Sequence, residues 1–374
     1  MATENRRLRV AHVIGGLEIG GAELMVERLC LEHRRLGLAD SIVVSLTGSG
    51  EIGRRLEALG VRVEALGLSS ATGLPLAVLR LARLLRDFEA EIVQTWLYHA
   101  DTVGALATKL AGRGAVVWNI RCTAFGDSRL TRRLVGVNAR LSRFLPDSIV
   151  CCGEESRRFH AARNYDLSRM TVLPNGFDVK HFTPPARTTR KHGCRFVAIG
   201  RDDALKDYAT MIEAAAQVAA VEPECSFAVF GRGIPANPRY RKLIADRGLA
   251  GRFELHDQIA DVREPLAGAD VFCSSSRHEG FPNVIAEAML MELPCVATAA
   301  GDSAAIVGDS GLVVAPGNPD ALAQAMLHMA RLGGRQRQQR GRRARAHILE
   351  NFEMGHVARL YARHYCAVLA NTGH

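Results

Sequence analysis

Two glutamates bracket a Phe-Pro-Asn in the stretch HEGFPNVIAEAML, residues 278 to 290. Carboxylates accept hydrogen bonds from ligand hydroxyls and steady developing positive charge. Glu279 falls in a loop, just past the strand-like run DVFCSSS. Pro282 suits the first position of a helix, which would aim its free N–H groups and positive end at whatever lies against Gly280 and Asn283. From Val284 onward that helix reads as apolar on most faces, so Glu287 is expected to be buried. A buried carboxylate requires donors, and these would be either ligand hydroxyls or the domain's own arginines.

Four other places could carry chemistry. GRDDALKDY (200–208) sets Arg201 and Lys206 in the loop after a strand, where two cations can hold a diphosphate; a solvated charged turn is the other reading. GGLEIGGAE (15–23) follows the first strand and opens a helix, with Gly20 and Gly21 where backbone can approach an anion. A plain tight turn would look the same. His99, in WLYHAD, stands at the end of another strand, as a cleft residue or as a helix-capping or partly buried neutral imidazole. GRGIPA (231–236) fits a dinucleotide-binding fingerprint, with Glu254 as ribose partner. Pro235 and Pro238 nevertheless interrupt the segment where the phosphate-binding helix should start.

These residues need a scaffold that ends strands at loops. Strand-like runs such as LRVAHVIGG, ADSIVVSLT, AEIVQTW and AVVWNIRC alternate with helical segments, which predicts a parallel sheet covered on both faces. The run MTVLPNGFDVKHFTPPARTTRKHG reads as a linker, and the alternation restarts at CRFVAIG. The expected fold class is α/β, with two doubly wound Rossmann-like halves and ligands beyond the carboxyl ends of the strands. The first half spans 1–174 and the second 175–354.

Composition excludes other classes. The 374 residues are 48% hydrophobic and 23% charged, long enough for two domains. Nine cysteines form no CxxC pair, a reduced, cytosolic pattern. The N-terminus reads as a first strand rather than a signal peptide, and no run reaches the roughly 20 apolar residues that span a bilayer. A net charge of +9 favours an acidic partner.

In order and spacing, GGAE, His99, LPNGFD (173–178), GR…K (200–206) and HEGFPNVIAEAM resemble the retaining glycosyltransferases of family 4, which have the GT-B fold. The resemblance runs through nearly the whole chain, and E-G-F-P-N-x-x-x-E is its most specific part. It implies transfer of a sugar from a nucleotide-sugar, UDP being the commonest donor nucleotide, to form an α-glycosidic bond. By position, Glu279 would face the donor sugar and Glu287 the ribose hydroxyls. The segment Gly280, Phe281, Pro282 and Asn283 would hold sugar hydroxyls and phosphate through its backbone N–H groups. Arg201 and Lys206 would neutralise the departing diphosphate, Gly20 and Gly21 would approach it, and His99 would contact the donor sugar. No metal or other cofactor is expected. The family commonly places Gly after the phosphate lysine, whereas Asp207 follows Lys206 here. The segment 355–374 is expected to be a terminal helix belonging with the first half. That half would take the acceptor and the second half the donor.

The segment SRLTRRLVGVNARLSRF (128–144) carries five arginines and no acid, with Leu130, Leu134, Val137, Leu141 and Phe144 at helical spacing. It reads as a basic amphipathic helix able to lie on anionic lipid, or as a core-packed helix with solvated arginines. The resemblance favours a glycan or polyprenyl-diphosphate-linked acceptor and a cytoplasmic protein, peripheral on the inner face of the membrane. Nucleic acid is not an expected partner, because neither this segment nor the basic stretch from Arg335 to Arg345 interleaves aromatics. The rival functions are a nucleotide-sugar epimerase of the same fold, a nicotinamide oxidoreductase and a non-enzymatic nucleotide-sugar sensor.

Overall fold

Seven parallel strands build the first sheet of the computed structural model, which describes residues 6–123, 129–185 and 193–372. They are β1 (Leu8–Ile14), β2 (Ala39–Ser45), β3 (Arg62–Ala65), β4 (Ile92–Trp96), β5 (Ala115–Ile120), β6 (Ser148–Cys151) and β7 (Met170–Val172). Their order is β3-β2-β1-β4-β5-β6-β7. Every residue of β4 and β5 is buried, as expected of central strands with helices on both faces. Strand β7 was not predicted. Its three residues opened the stretch read as a linker, too short to show any periodicity, yet they pair with β6 at the sheet edge.

Six strands form the second parallel sheet: β8 (Arg195–Ile199), β9 (Ser226–Phe230), β10 (Phe253–His256), β11 (Val271–Ser274), β12 (Cys295–Thr298) and β13 (Leu312–Val314). The order is β10-β9-β8-β11-β12-β13. The expected α/β class, two doubly wound sheets with alternating helices, is what the chain adopts.

The chain divides into one unit of Met1–Gly176 with Met354–His374, and a second of Phe177–Glu353. In the first, the helix Gly21–Arg35 packs its Met25, Val26, Leu29 and Cys30 into a core shared with Val357, Tyr361 and Tyr365 of the helix Met354–Thr372. The His33 ring also reaches the backbone oxygen of Ala358 at 3.0 Å. In the second, Ile285, Ala286, Met289 and Leu290 of the helix Asn283–Leu290 join Phe272, Val197 and Ile348 in a continuous core. A buried aliphatic side chain stabilises by about 1.5–3 kcal/mol, so these seams hold each unit together.

Each sheet reverses its strand order once, between β1 and β4 and between β8 and β11. Ligands of doubly wound folds bind beyond the carboxyl ends of the strands at this switch point. Gly20, Gly21 and His99 follow β1 and β4; Arg201, Lys206, Glu279 and Glu287 follow β8 and β11.

Candidate functional site

In the second unit the loops after β8 and β11 are sewn together. Lys206 ends a short 3-10 turn (Ala204–Lys206), whose start is capped by Asp203: its carboxylate accepts from Leu205 N at 3.0 Å. That bond, with the Arg201 guanidinium, holds the Asp203 carboxyl below its ordinary range. Ser275 Oγ donates to Lys206 O at 2.9 Å, and Arg277 N donates to Leu205 O at 2.7 Å.

This stitching delivers Lys206 Nζ to Glu279 Oε1 at 2.6 Å, and Ser276 Oγ donates to the same oxygen at 2.6 Å. Both charged side chains are mostly enclosed, with 22% and 14% of their surface exposed. They line a small pocket with Tyr208, Ser275, Ser276 and Pro282. An ammonium and a carboxylate fixed side by side can receive a ligand that presents an anion to one and hydroxyls to the other.

Asp207 explains the departure after the lysine. Its backbone is left-handed (φ 46°, ψ 50°), a conformation that favours glycine. The side chain offsets the strain, since Asp207 Oδ2 accepts from Arg277 Nε and Thr210 Oγ1, both at 2.7 Å. The aspartate therefore keeps the turn that a glycine would make. Ser276 and Arg277 were not singled out in the sequence, although the serine run ending DVFCSSS was a signal.

Arg201 is placed differently from Lys206. Two-thirds exposed, it binds Asp203 Oδ2 through Nε and Nη2 at 3.1 and 2.8 Å.

Two expectations about the paired-glutamate segment need correction. Pro282 is the N-cap (φ −76°, ψ 86°), and the helix starts at Asn283, one residue later. Glu287 is half-buried rather than buried, on a half-open stripe with Asn283 and Val284, while Ile285, Ala286 and Ala288 to Leu290 face the core. The run of apolar residues hid that stripe, because Val284 mimics a core position. Gly280 and Phe281 are also half-buried. The Phe281 ring stacks on Phe177 at 6.3 Å between centroids.

GRGIPA is not a dinucleotide site. Turns follow β9, and the next helix, Pro238–Asp246, starts only after Asn237 caps it. Gly231 is required by a close approach, since a Cβ there would overlap the backbone oxygen of Gly200. Glu254 is held by Arg195 at 2.8 Å and His256 at 3.0 Å.

In the first unit, Gly20 is the extended N-cap of the helix that Gly21 begins, and no side chain caps it. Glu23 folds back over this turn, its Oε2 filling the space that a Cβ of residue 20 would occupy. Burial raises the Glu23 carboxyl above its ordinary range. His99 is exposed on the first turn of the helix Tyr98–Ala111, so it is neither buried nor the capping residue. The N-cap is Leu97, whose φ of 68° and ψ of 163° lie in a region otherwise reserved for glycine. Its neighbours brace it. Tyr98 OH meets His160 Nε2 at 2.7 Å, Asn138 Nδ2 donates to Tyr98 O at 3.0 Å, and Thr95 Oγ1 donates to the buried Asp101 at 2.6 Å. Burial holds the Asp101 carboxyl well above its ordinary range.

The basic segment forms the helix Arg129–Leu141; Ser128 lies outside the described residues. Its buried face is rotated from the expected stripe. Val135, Asn138 and Ala139 are buried with Leu134 and Leu141 beside them, whereas Val137 and Phe144 are exposed among Arg132, Arg133, Arg140 and Arg143. Among the described residues no helix is long and apolar enough to cross a membrane.

The fold has close counterparts. The Anabaena protein HepE, solved in complex with UDP, superposes with a TM-score of 0.82 over 96% of this chain and 100% of its own, at 19% identity. Residues 19–181 match the model described as Glycosyltransferase Family 4, and 193–331 match that described as Glycosyl transferases group 1. The putative glycosyltransferase EpsF of Bacillus subtilis is 26% identical over 329 residues, covering 81% of this chain and 82% of that one. The UDP-Gal:alpha-D-GlcNAc-diphosphoundecaprenol alpha-1,3-galactosyltransferase of Escherichia coli is 26% identical over 235 residues, 59% of this chain and 60% of that protein. The protein is thus a glycosyltransferase with the GT-B fold, using a nucleotide-sugar donor. Its two halves match the family 4 and group 1 models in turn, which makes it a family-4-type enzyme.

Proposed function

We propose that the protein transfers a sugar from a UDP-sugar to a polyprenyl-diphosphate-linked or other glycan acceptor, with retention and formation of an α-glycosidic bond. The observation that carries this reading is the Lys206–Glu279 contact at the switch point of the second sheet. Lys206 neutralises the departing diphosphate, with Arg201 reaching it from the exposed side of the same loop. Glu279 orients the donor sugar beside the reacting carbon, and Glu287, on the half-open stripe of its helix, takes the ribose hydroxyls. Backbone N–H groups from Gly280, Phe281 and Asn283, around the Pro282 cap, hold sugar hydroxyls and phosphate. His99 contacts the donor sugar from the first unit, and the Gly20–Gly21 turn approaches the diphosphate. The second unit is the donor half and the first the acceptor half. Cations and helix N-termini stabilise the leaving group in this scheme, with no metal called upon.

The UDP bound to HepE supports the donor class, and the name of the Escherichia coli relative, with its UDP-Gal and diphosphoundecaprenol, supports both donor and acceptor classes. Retention and the α linkage are proposed on the resemblance to the retaining enzymes of family 4. We also infer peripheral attachment to anionic lipid through Arg132, Arg133, Arg140 and Arg143, with Val137 and Phe144 exposed among them. That would place the protein on the cytoplasmic face of the membrane.

The deciding experiment titrates UDP-, GDP- and ADP-sugars and follows their slow hydrolysis, with Glu279→Ala and Glu287→Ala alongside. UDP-sugar binding weakened by Glu287→Ala and turnover lost in Glu279→Ala are expected. Binding of no nucleotide-sugar would end the reading, and sugar interconversion without an acceptor would replace it with an epimerase.

A further inference from the structure

Near the strand ends, Arg277 faces Asp207 and Arg195 faces Glu254. Arg121 faces no carboxylate among the described residues. It is the first residue past β5, at the carboxyl edge of the first sheet, next to the strand that leads to His99.

Among the described residues its half-buried guanidinium is held by neutral groups alone. Arg121 Nη1 donates to Asn119 Oδ1 at 3.1 Å and to Tyr361 OH at 3.2 Å. Asn119 Nδ2 donates to the same Tyr361 oxygen at 3.3 Å, which fixes both anchors. The guanidinium carbon stands 5.2 Å from the centre of the Trp96 ring. Trp96 in turn donates from Nε1 to His12 Nδ1 at 3.2 Å, and burial keeps that histidine neutral, with its pKa lowered to about 3.

The opposite edge of the fork is unsatisfied. Nη2 is enclosed without a hydrogen-bond partner, and Nε has none among the described residues. Contact with an aromatic face returns only part of the cost of desolvating a cation and leaving an N–H unmade. An arginine oriented by an amide, a hydroxyl and an indole keeps its full charge for a ligand, and its Nε–Nη2 edge matches two oxygens of one oxyanion.

We propose that Arg121 is the anchor for a phosphate or diphosphate group of the acceptor, bound side-on by the Nε–Nη2 edge at the end of β5. This rests on the reading of the first unit as the acceptor half. The same chemistry could come from the donor's diphosphate, so the test separates the two.

Trp96 is one of two tryptophans, which gives a direct optical readout. Inorganic pyrophosphate is titrated into the full-length protein while tryptophan emission is followed, with and without saturating UDP. Saturable quenching in the presence of UDP, lost in Arg121→Gln and weakened in Arg121→Lys, is expected. With a short-chain prenyl-diphosphate-linked sugar as acceptor, Arg121→Gln should raise the acceptor KM by about tenfold to a hundredfold and leave the UDP-sugar KM unchanged. Pyrophosphate binding abolished by UDP, or a KM rise confined to the donor, would assign the arginine to the diphosphate of the donor and overturn the proposal. An absence of saturable pyrophosphate binding to the wild type would overturn it without any variant. Because the UDP-sugar KM is read in the same kinetic assays, failure of the wider donor reading shows separately.

Discussion

Lys206 and Glu279 are 73 residues apart in the chain, and their Nζ and Oε1 atoms meet at 2.6 Å. Two loops that leave neighbouring strands make this contact, with Ser275 and Arg277 fastening one to the other. In Lys206→Ala, activity should fall by about 10²–10³ if the ammonium stabilises the leaving diphosphate. The stability loss should be only about 1–2 kcal/mol, since the pair keeps some contact with water and Ser276 still serves Glu279. Kinetics and urea denaturation on one preparation check this; an inactive variant that is also largely unfolded would point to a structural role.

Asp207 occupies a glycine-like turn because two bonds hold it there. Asp207→Gly and Asp207→Ala lose the same two bonds, but alanine retains the left-handed strain. The glycine variant should be the more stable by about 1 kcal/mol. Equal midpoints in urea would show that the backbone carries no strain at this position.

Leu97 makes a similar test beside His99. Glycine is ordinarily worse than alanine, because it has more unfolded conformations to lose. At φ 68° and ψ 163° the order should invert, with Leu97→Gly less destabilising than Leu97→Ala by about 1–2 kcal/mol. Thermal denaturation of the two variants settles the sign. Relief of the strain should also loosen His99, so turnover should fall in Leu97→Gly while UDP affinity holds.

Burial gives the first unit an acid limit. His33 is buried beside the terminal helix, and its pKa is lowered to about 4. Unfolded, it takes up a proton near pH 6.5, so the unfolded state binds more protons as pH falls below that value. Its stabilisation is therefore complete above pH 6.5 and is lost toward pH 4, amounting to about 2 kcal/mol by pH 5. His160, also lowered to about 4, acts in the same direction, and Asp101, raised by burial, acts against both. His33→Gln should make stability fall less steeply between pH 7 and pH 5. An unchanged slope in urea titrations at the two values would refute the assignment.

Much of this protein was legible in its sequence. Strands of Val, Ile and Ala ending at glycines and serines dictate a parallel sheet, because only helix-covered strands are apolar throughout. The paired glutamates and the upstream cations were visible as charges where strands stop. Other features were hidden by short length or ambiguous chemistry. β7 has three residues, and GRGIPA has the right letters where no helix begins.

What the tertiary structure alone decided is which charges meet. Arg201 and Lys206 look alike in GRDDALKDY, yet Arg201 turns to Asp203 while Lys206 reaches Glu279. Glu287 looked buried in an apolar run, but the packing of its helix opens the stripe on which it lies. Arg121 resembled any arginine after a strand until Asn119, Tyr361 and Trp96 were seen to hold it with no acid among them. Residue order sets the periodicity, and so fixes the strands and helices. Pairing between distant side chains depends on strand order and helix rotation, which arise only when the sheets assemble and their cores pack.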